Sequence, residues 1–92
     1  MLNDTEEKIK QTLADLMRSH NTQLAEQFKT EALKVWDQMA HHMRFVIITM
    51  IRTENALGNL RQEFWESLKP LVDHFENEAV HKRRVNPDDS NS

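Results

Sequence analysis

The apolar positions of this chain recur at steps of three and four almost throughout, the spacing that places successive residues on one face of an α-helix. Ile9, Leu13, Leu16 and Met17 make the first such face. Asp4 or Thr5 is expected to cap this helix, with Glu7 in capping-box register to Asp4 and Glu6 and Glu7 at the positive end of the helix dipole. The pattern lapses at Ser19-His20-Asn21-Thr22. Short polar side chains compete there for backbone hydrogen bonds, so the tetrad reads as a joint, with Asn21 or Thr22 capping the next helix.

From Leu24 the pattern resumes through Phe28, Ala32, Val35, Met39, Met43, Val46, Met50, Thr53, Leu57, Leu60 and Phe64. Between Met39 and Phe64 the steps alternate four and three, a heptad seam in which only Thr53 is polar. This predicts a long central helix with a coiled-coil-like seam. Gly58-Asn59 interrupts the seam in chemistry but not in phase. Gly58 can end the helix in the left-handed conformation, with Asn59 capping the next and Gln62 in capping-box register, or the helix can run on at a cost of about 1 kcal/mol. The break is the preferred reading, because one helix from Thr22 to Val80 would be about 90 Å long and leave little core.

A last helical stretch carries Leu60, Phe64, Trp65, Leu68, Leu71, Val72, Phe75, Ala79 and Val80. Pro70 lies inside it and predicts a kink near residues 66–70, or a helix restarting with Pro70 in its first turn. The expected architecture is all-α: three main helices near residues 5–19, 22–57 and 59–80, in one domain of residues 1–85, assembled as a homodimeric helical bundle. Residues 86–92 are too polar to bury anything and are expected to be disordered.

The densest apolar stretch is Phe45 to Ile51, bracketed by Arg44 and Arg52. Val46 and Met50 belong to the seam, Ile47 and Ile51 to the adjoining face, and Phe45 and Ile48 to a third. A helix packed on one neighbour needs an apolar stripe only a little over 100° wide. This turn therefore needs neighbours on at least two sides, supplied by the first and last helices or, more fully, by a second copy. Arg44 and Arg52 would mark where the enclosure meets water.

Composition narrows the function classes. The single Gly, two Pro and 29% charged residues suit a helical chain, and the absence of Cys removes disulfides and thiolate metal sites and fits a reducing compartment. The net charge of −3 is spread over both halves, which argues against a general nucleic-acid binder with a basic face. The start, Met1-Leu2-Asn3-Asp4, lacks the basic and apolar pattern of a secretory signal, so a cytoplasmic location is expected. The apolar run is far shorter than the roughly 20 residues of a membrane span.

Candidate chemistry is sparse. Asp37 with His41, and Glu78 with His81, have one-turn spacing for metal ligands, but the di-iron pattern needs a second Glu-x-x-His that is missing from the sequence. Neither a phosphate-cradling glycine loop nor a nucleophile paired with a base is legible, so no enzyme, cofactor or metal is expected. The reading is a non-enzymatic interaction, adaptor or regulatory protein. Its expected self-association seam is Met39, Met43, Val46, Ile47, Met50, Ile51, Leu57, Leu60 and Phe64. Trp36, Phe45, Ile48 and Trp65 are candidate contacts for a further protein partner, tryptophans beside a seam being common interface anchors. Lys82, Arg83 and Arg84 form a basic cluster that suits phosphates or an acidic partner, and a small dimeric nucleic-acid-associated regulator is the alternative reading.

Overall fold

A computed structural model of the chain describes the backbone of residues 2–91 and the side chains of residues 6–78. Its described residues form four α-helices and one short 3-10 turn: α1 (Leu2–Ser19), α2 (Thr22–Lys34), the turn Trp36–Gln38, α3 (His41–Ala56) and α4 (Gln62–Asn91). The all-helical expectation stands, with four helices in place of three. α1 starts at Leu2, which puts Asp4 and Thr5 inside its first turns; their side chains lie outside the described residues. The tail 86–92 and the basic cluster likewise lie outside the described side chains.

The first joint forms as its polar residues dictate. Ser19 Oγ donates to Leu16 O at 2.6 Å and accepts from the Asn21 amide at 3.0 Å, while His20 turns the chain at φ 55. Asn21, in extended conformation, caps α2 by accepting from the Leu24 amide at 3.1 Å, satisfying one of the unpaired donors of a helix start.

The long central helix is broken. α2 ends at Lys34 with Val35 as its C-cap, and the chain passes through the 3-10 turn and the extended residues Met39 and Ala40 before α3 begins. The α3 N-terminus has no side-chain cap. What holds the corner comes from elsewhere: Arg44 Nε donates to Met39 O at 3.1 Å, and Trp36 is buried against α4. The heptad phase continues across the corner, so the periodicity there reports packing on both sides and not one uninterrupted rod.

The second predicted break forms at Gly58, whose φ of 79 is the left-handed value that favours glycine. The Gly58 amide donates to Asn55 O at 2.9 Å and the Asn59 amide to Glu54 O at 3.0 Å, the two reversed bonds of a Schellman motif. Asn59 Nδ2 also reaches Glu54 Oε1 at 2.9 Å, so Asn59 finishes α3 and does not cap α4, which begins three residues later. α4 then runs through Pro70 without restarting.

Cross-helix pairs fix the directions. His42 meets Glu6 and Met50 shares a pocket wall with Met17, so α1 and α3 run side by side in the same sense. His20 lies on Phe64 and Trp36 on Phe75, which makes α2 parallel to α4. Arg44 meets Glu78 and Ala56 faces the pocket that Trp65 walls, so α3 is antiparallel to α4. The most extensive packing is α2 on α4, followed by α3 on α4 and α1 on α3. Ala25 and Ala32 of α2 and Ser67 of α4 are buried, and small side chains permit close approach of two axes.

The core joins Leu13, Leu16 and Met17 of α1, Ile47, Ile48 and Ile51 of α3, and Phe64, Leu68, Leu71 and Val72 of α4. Within the Phe45 to Ile51 stretch, Ile47, Ile48 and Ile51 are thus buried in a core that α1 and α4 of the same chain supply, while Phe45 stays exposed. Ile48, on the third face, is as buried as Ile47, at 1% exposure each. Among the described residues no helix is long and apolar enough to cross a membrane.

Candidate interaction surfaces

The expected self-association seam divides in the folded chain. Ile47, Ile51 and Phe64 are buried within the monomer core, whereas Met39, Met43, Val46, Met50 and Leu60 are half-buried and Leu57 is exposed. The half-buried members, except Val46, pack against the core from its edge. With the helix broken after Ala56, these residues do not lie along one continuous helix. The seam is largely an internal one, and it is met by α1 and α4.

The candidate partner contacts divide too. Trp36 and Ile48 are each 1% exposed and belong to the core, Trp65 is half-buried, and Phe45 remains 51% exposed. Trp36 is the centre of a polar clasp. Its Nε1 donates to both carboxylate oxygens of Glu78 at 3.1 Å, and the Arg44 guanidinium lies 5.6 Å from its ring centre while reaching Glu78 Oε1 at 3.4 Å. His74 packs edge-on to the indole at 5.6 Å and approaches Glu78 Oε2 at 3.7 Å. A buried indole N–H needs an acceptor, and the carboxylate supplies one that Arg44 neutralises. The clasp therefore ties the α2–α3 corner to α4. Arg44, with a side chain only 17% exposed, sits inside this clasp and not at the water boundary, whereas Arg52 is exposed and pairs with Glu76 at 3.1 Å.

The surface that sequence periodicity does not reveal lies between α1 and α2. Those helices part after their turn and pack mainly on α3 and α4 respectively. A groove of about 430 Å³ opens between them, floored by Leu16, Leu24 and Phe28 and edged by Asp15 and Glu31. Leu24 is 43% exposed, and Val35, just past the end of the same helix, is 44% exposed. Both lie on the stripe that periodicity predicts to face the core. The buried positions are Ala25, Ala32 and Trp36, at helical spacing; Ala32 belongs to the predicted stripe, Ala25 and Trp36 lie beside it, and Trp36 contacts Phe75 and Glu78 of α4.

Two further hollows are more polar. One, between the ends of α1 and α3, includes Arg18, His20, Glu54 and Asn59; the other, between α3 and α4, includes Arg52, Lys69, Asp73 and Glu76. Many exposed charges pair one helical turn apart, as Lys10 with Glu6, Lys29 with Glu26, Lys34 with Glu31 and Lys69 with Asp73. Lys29 Nζ lies 2.8 Å from the Glu26 carboxylate and, chiefly by this hydrogen bond, holds the Glu26 pKa below its ordinary value. Among the described residues, no three His, Asp or Glu side chains gather as a metal site would require. Of the one-turn spacings with metal-ligand character, Asp37 lies in the 3-10 turn of the α2–α3 corner and His41 starts α3, and His81 falls outside the described side chains.

The described residues define an all-helical protein with a partly buried polar clasp and an apolar groove between two helices. No protein-family model, curated protein or solved structure matches this chain.

Proposed function

We propose that this chain is a non-enzymatic, self-associating interaction protein that works by presenting helical surfaces to another macromolecule, and that it acts in the cytoplasm. The observation that carries this reading is the α1–α2 groove, where Leu24 and Phe28 line an apolar floor open to solvent. A chain of 92 residues has little apolar surface to spare for its own core. Leaving Leu24 43% exposed beside a half-buried Phe28 in one cleft, with carboxylates at its edges, is the pattern of a helix-in-groove recognition site.

Self-association is the first step of the proposal, and it belongs to this groove instead of to the Met39 to Phe64 seam, because Ile47, Ile51 and Phe64 are spent within one chain. The cysteine-free composition suits a reducing compartment. Sedimentation equilibrium of the whole chain tests the proposal. A dimer whose weight-average mass and thermal midpoint both rise with concentration supports it. A compact monomer whose unfolding is independent of concentration overturns it.

A further inference from the structure

We propose that the α1–α2 groove receives the basic segment of a second copy, residues 80–85, so that two chains exchange these segments reciprocally. This rests on the self-association proposed above and names the surfaces that make it. The floor of the groove is apolar at Leu16, Leu24 and Phe28, and the charged residues lining it are the acids Asp15 on α1 and Glu31 on α2. A fitting occupant carries aliphatic stems across the floor and cationic ends to the edges, which is what Arg and Lys side chains do at an apolar surface. In this sequence one segment has that character: Val80-His81-Lys82-Arg83-Arg84-Val85, which contains the chain's only run of consecutive Lys and Arg residues.

The carboxylates are available. Asp15 pairs with Arg18, and Glu31 with Lys34, as exposed contacts one turn apart, and such pairs exchange partners at little cost. The groove belongs to another molecule because of helix direction. α2 and α4 are parallel, Glu78 lies at Trp36 beyond the end of α2, and α4 continues as a helix past Glu78. To reach Leu24 of its own chain, the segment would have to reverse within two residues of Glu78. A second copy meets no such constraint, and reciprocal exchange closes a two-fold dimer.

The test uses two charge-reversed full-length variants, Asp15→Lys/Glu31→Lys and Lys82→Glu/Arg83→Glu/Arg84→Glu, measured by sedimentation velocity beside the parent chain. Each variant alone is expected to dimerise at least about tenfold more weakly, since its groove and segment then carry like charge. An equimolar mixture of the two is expected to recover the parent affinity, because each groove again meets an opposite segment. The milder Asp15→Asn/Glu31→Gln variant is expected to keep its helicity, dimerise more weakly and lose salt sensitivity. Parent-like dimerisation of either reversed variant, or a mixture no tighter than its components, overturns the exchange while leaving self-association standing. An association-incompetent parent chain overturns both, and needs no variant to see. Recovery of parent affinity on mixing also excludes occupation of the groove by the chain's own segment, for which mixing changes nothing.

Discussion

Replacing Glu78 with alanine removes the acceptor of a buried indole donor and the partner of a mostly buried guanidinium in one step. Trp36 is 1% exposed and its Nε1 has both Glu78 oxygens at 3.1 Å. Losing a charged acceptor and leaving the donor buried costs about 2 kcal/mol, and the partly exposed Arg44 contact adds about 0.5 kcal/mol. The sum, about 2.5 kcal/mol, is a large share of the roughly 5 to 14 kcal/mol available to a chain of this length. With a urea slope near about 1.2 kcal/mol per M for so small a domain, the midpoint is expected to fall by about 2 M. The assay is urea unfolding followed by circular dichroism, which reads variants with and without Trp36 alike. The decisive comparison is a double-mutant cycle with Trp36→Phe, which keeps an aromatic ring but has no N–H. Glu78→Ala should cost about 1.5 kcal/mol less in that background. Additive effects of the two substitutions, within about 0.4 kcal/mol, refute the clasp as the connection between the α2–α3 corner and α4.

Single positions elsewhere give further expected outcomes. Gly58→Ala is expected to destabilise by about 1 kcal/mol in thermal unfolding although a Cβ there meets nothing within 4 Å, because the cost lies in the positive φ; a neutral result removes the Schellman turn as the reason for the glycine. Ile48→Asp is expected to abolish cooperative unfolding while Phe45→Asp stays within about 0.5 kcal/mol of the parent, and equal tolerance of both by circular dichroism would contradict the enclosure of α3 on its Ile48 side. Ala25→Leu is expected to cost about 2 kcal/mol by forcing α2 off α4, whereas Leu24→Ala leaves folding nearly unchanged and weakens association; the reverse order in paired melts and sedimentation would exchange the two stripes of α2. Glu26, held below its ordinary pKa by Lys29, lends stability above the unfolded carboxylate pKa that is lost as pH falls through the lowered value. Lys29→Met is therefore expected to raise the Glu26 pKa in an NMR titration and to flatten this part of the acid dependence, and an unmoved titration would assign the lowering elsewhere.

Much of the fold is legible in the sequence because local chemistry decides it. Asn21 caps α2 since its side chain reaches a free amide three residues on, and Gly58 ends α3 since it alone in this chain lacks a Cβ. The burial of Ile47, Ile48 and Ile51 also follows from the density of apolar residues there, with α1 and α4 of the same chain packed on them, while Phe45 of the same run stays exposed. The corner at Val35–Ala40 is illegible for a physical reason. No glycine, proline or side-chain cap marks it, and the groups that hold Trp36 in place are Arg44 and a glutamate 42 residues away. Tertiary contacts override a phase-continuous pattern, and periodicity carries no information about which neighbour will do so.

The same limit hides the groove. Residues 24–36 carry two interleaved stripes, the bulky Leu24, Phe28 and Val35 and the mixed Ala25, Ala32 and Trp36. A ranking by hydrophobicity favours the first as the core face. The packed helix uses the second, because α4 already supplies Phe64, Leu68, Leu71 and Val72, and two axes bearing large side chains on both sides cannot approach closely. With the mixed stripe buried, the bulky one lies at the edge of the core: Phe28 packs against it while Leu24 and Val35 stay exposed, and α1 packs mainly on α3. The exposed apolar surface is thus a consequence of how the core is filled. It is also the reason the proposed contact belongs to α1 and α2 and not to the apolar run of α3 that dominates the sequence.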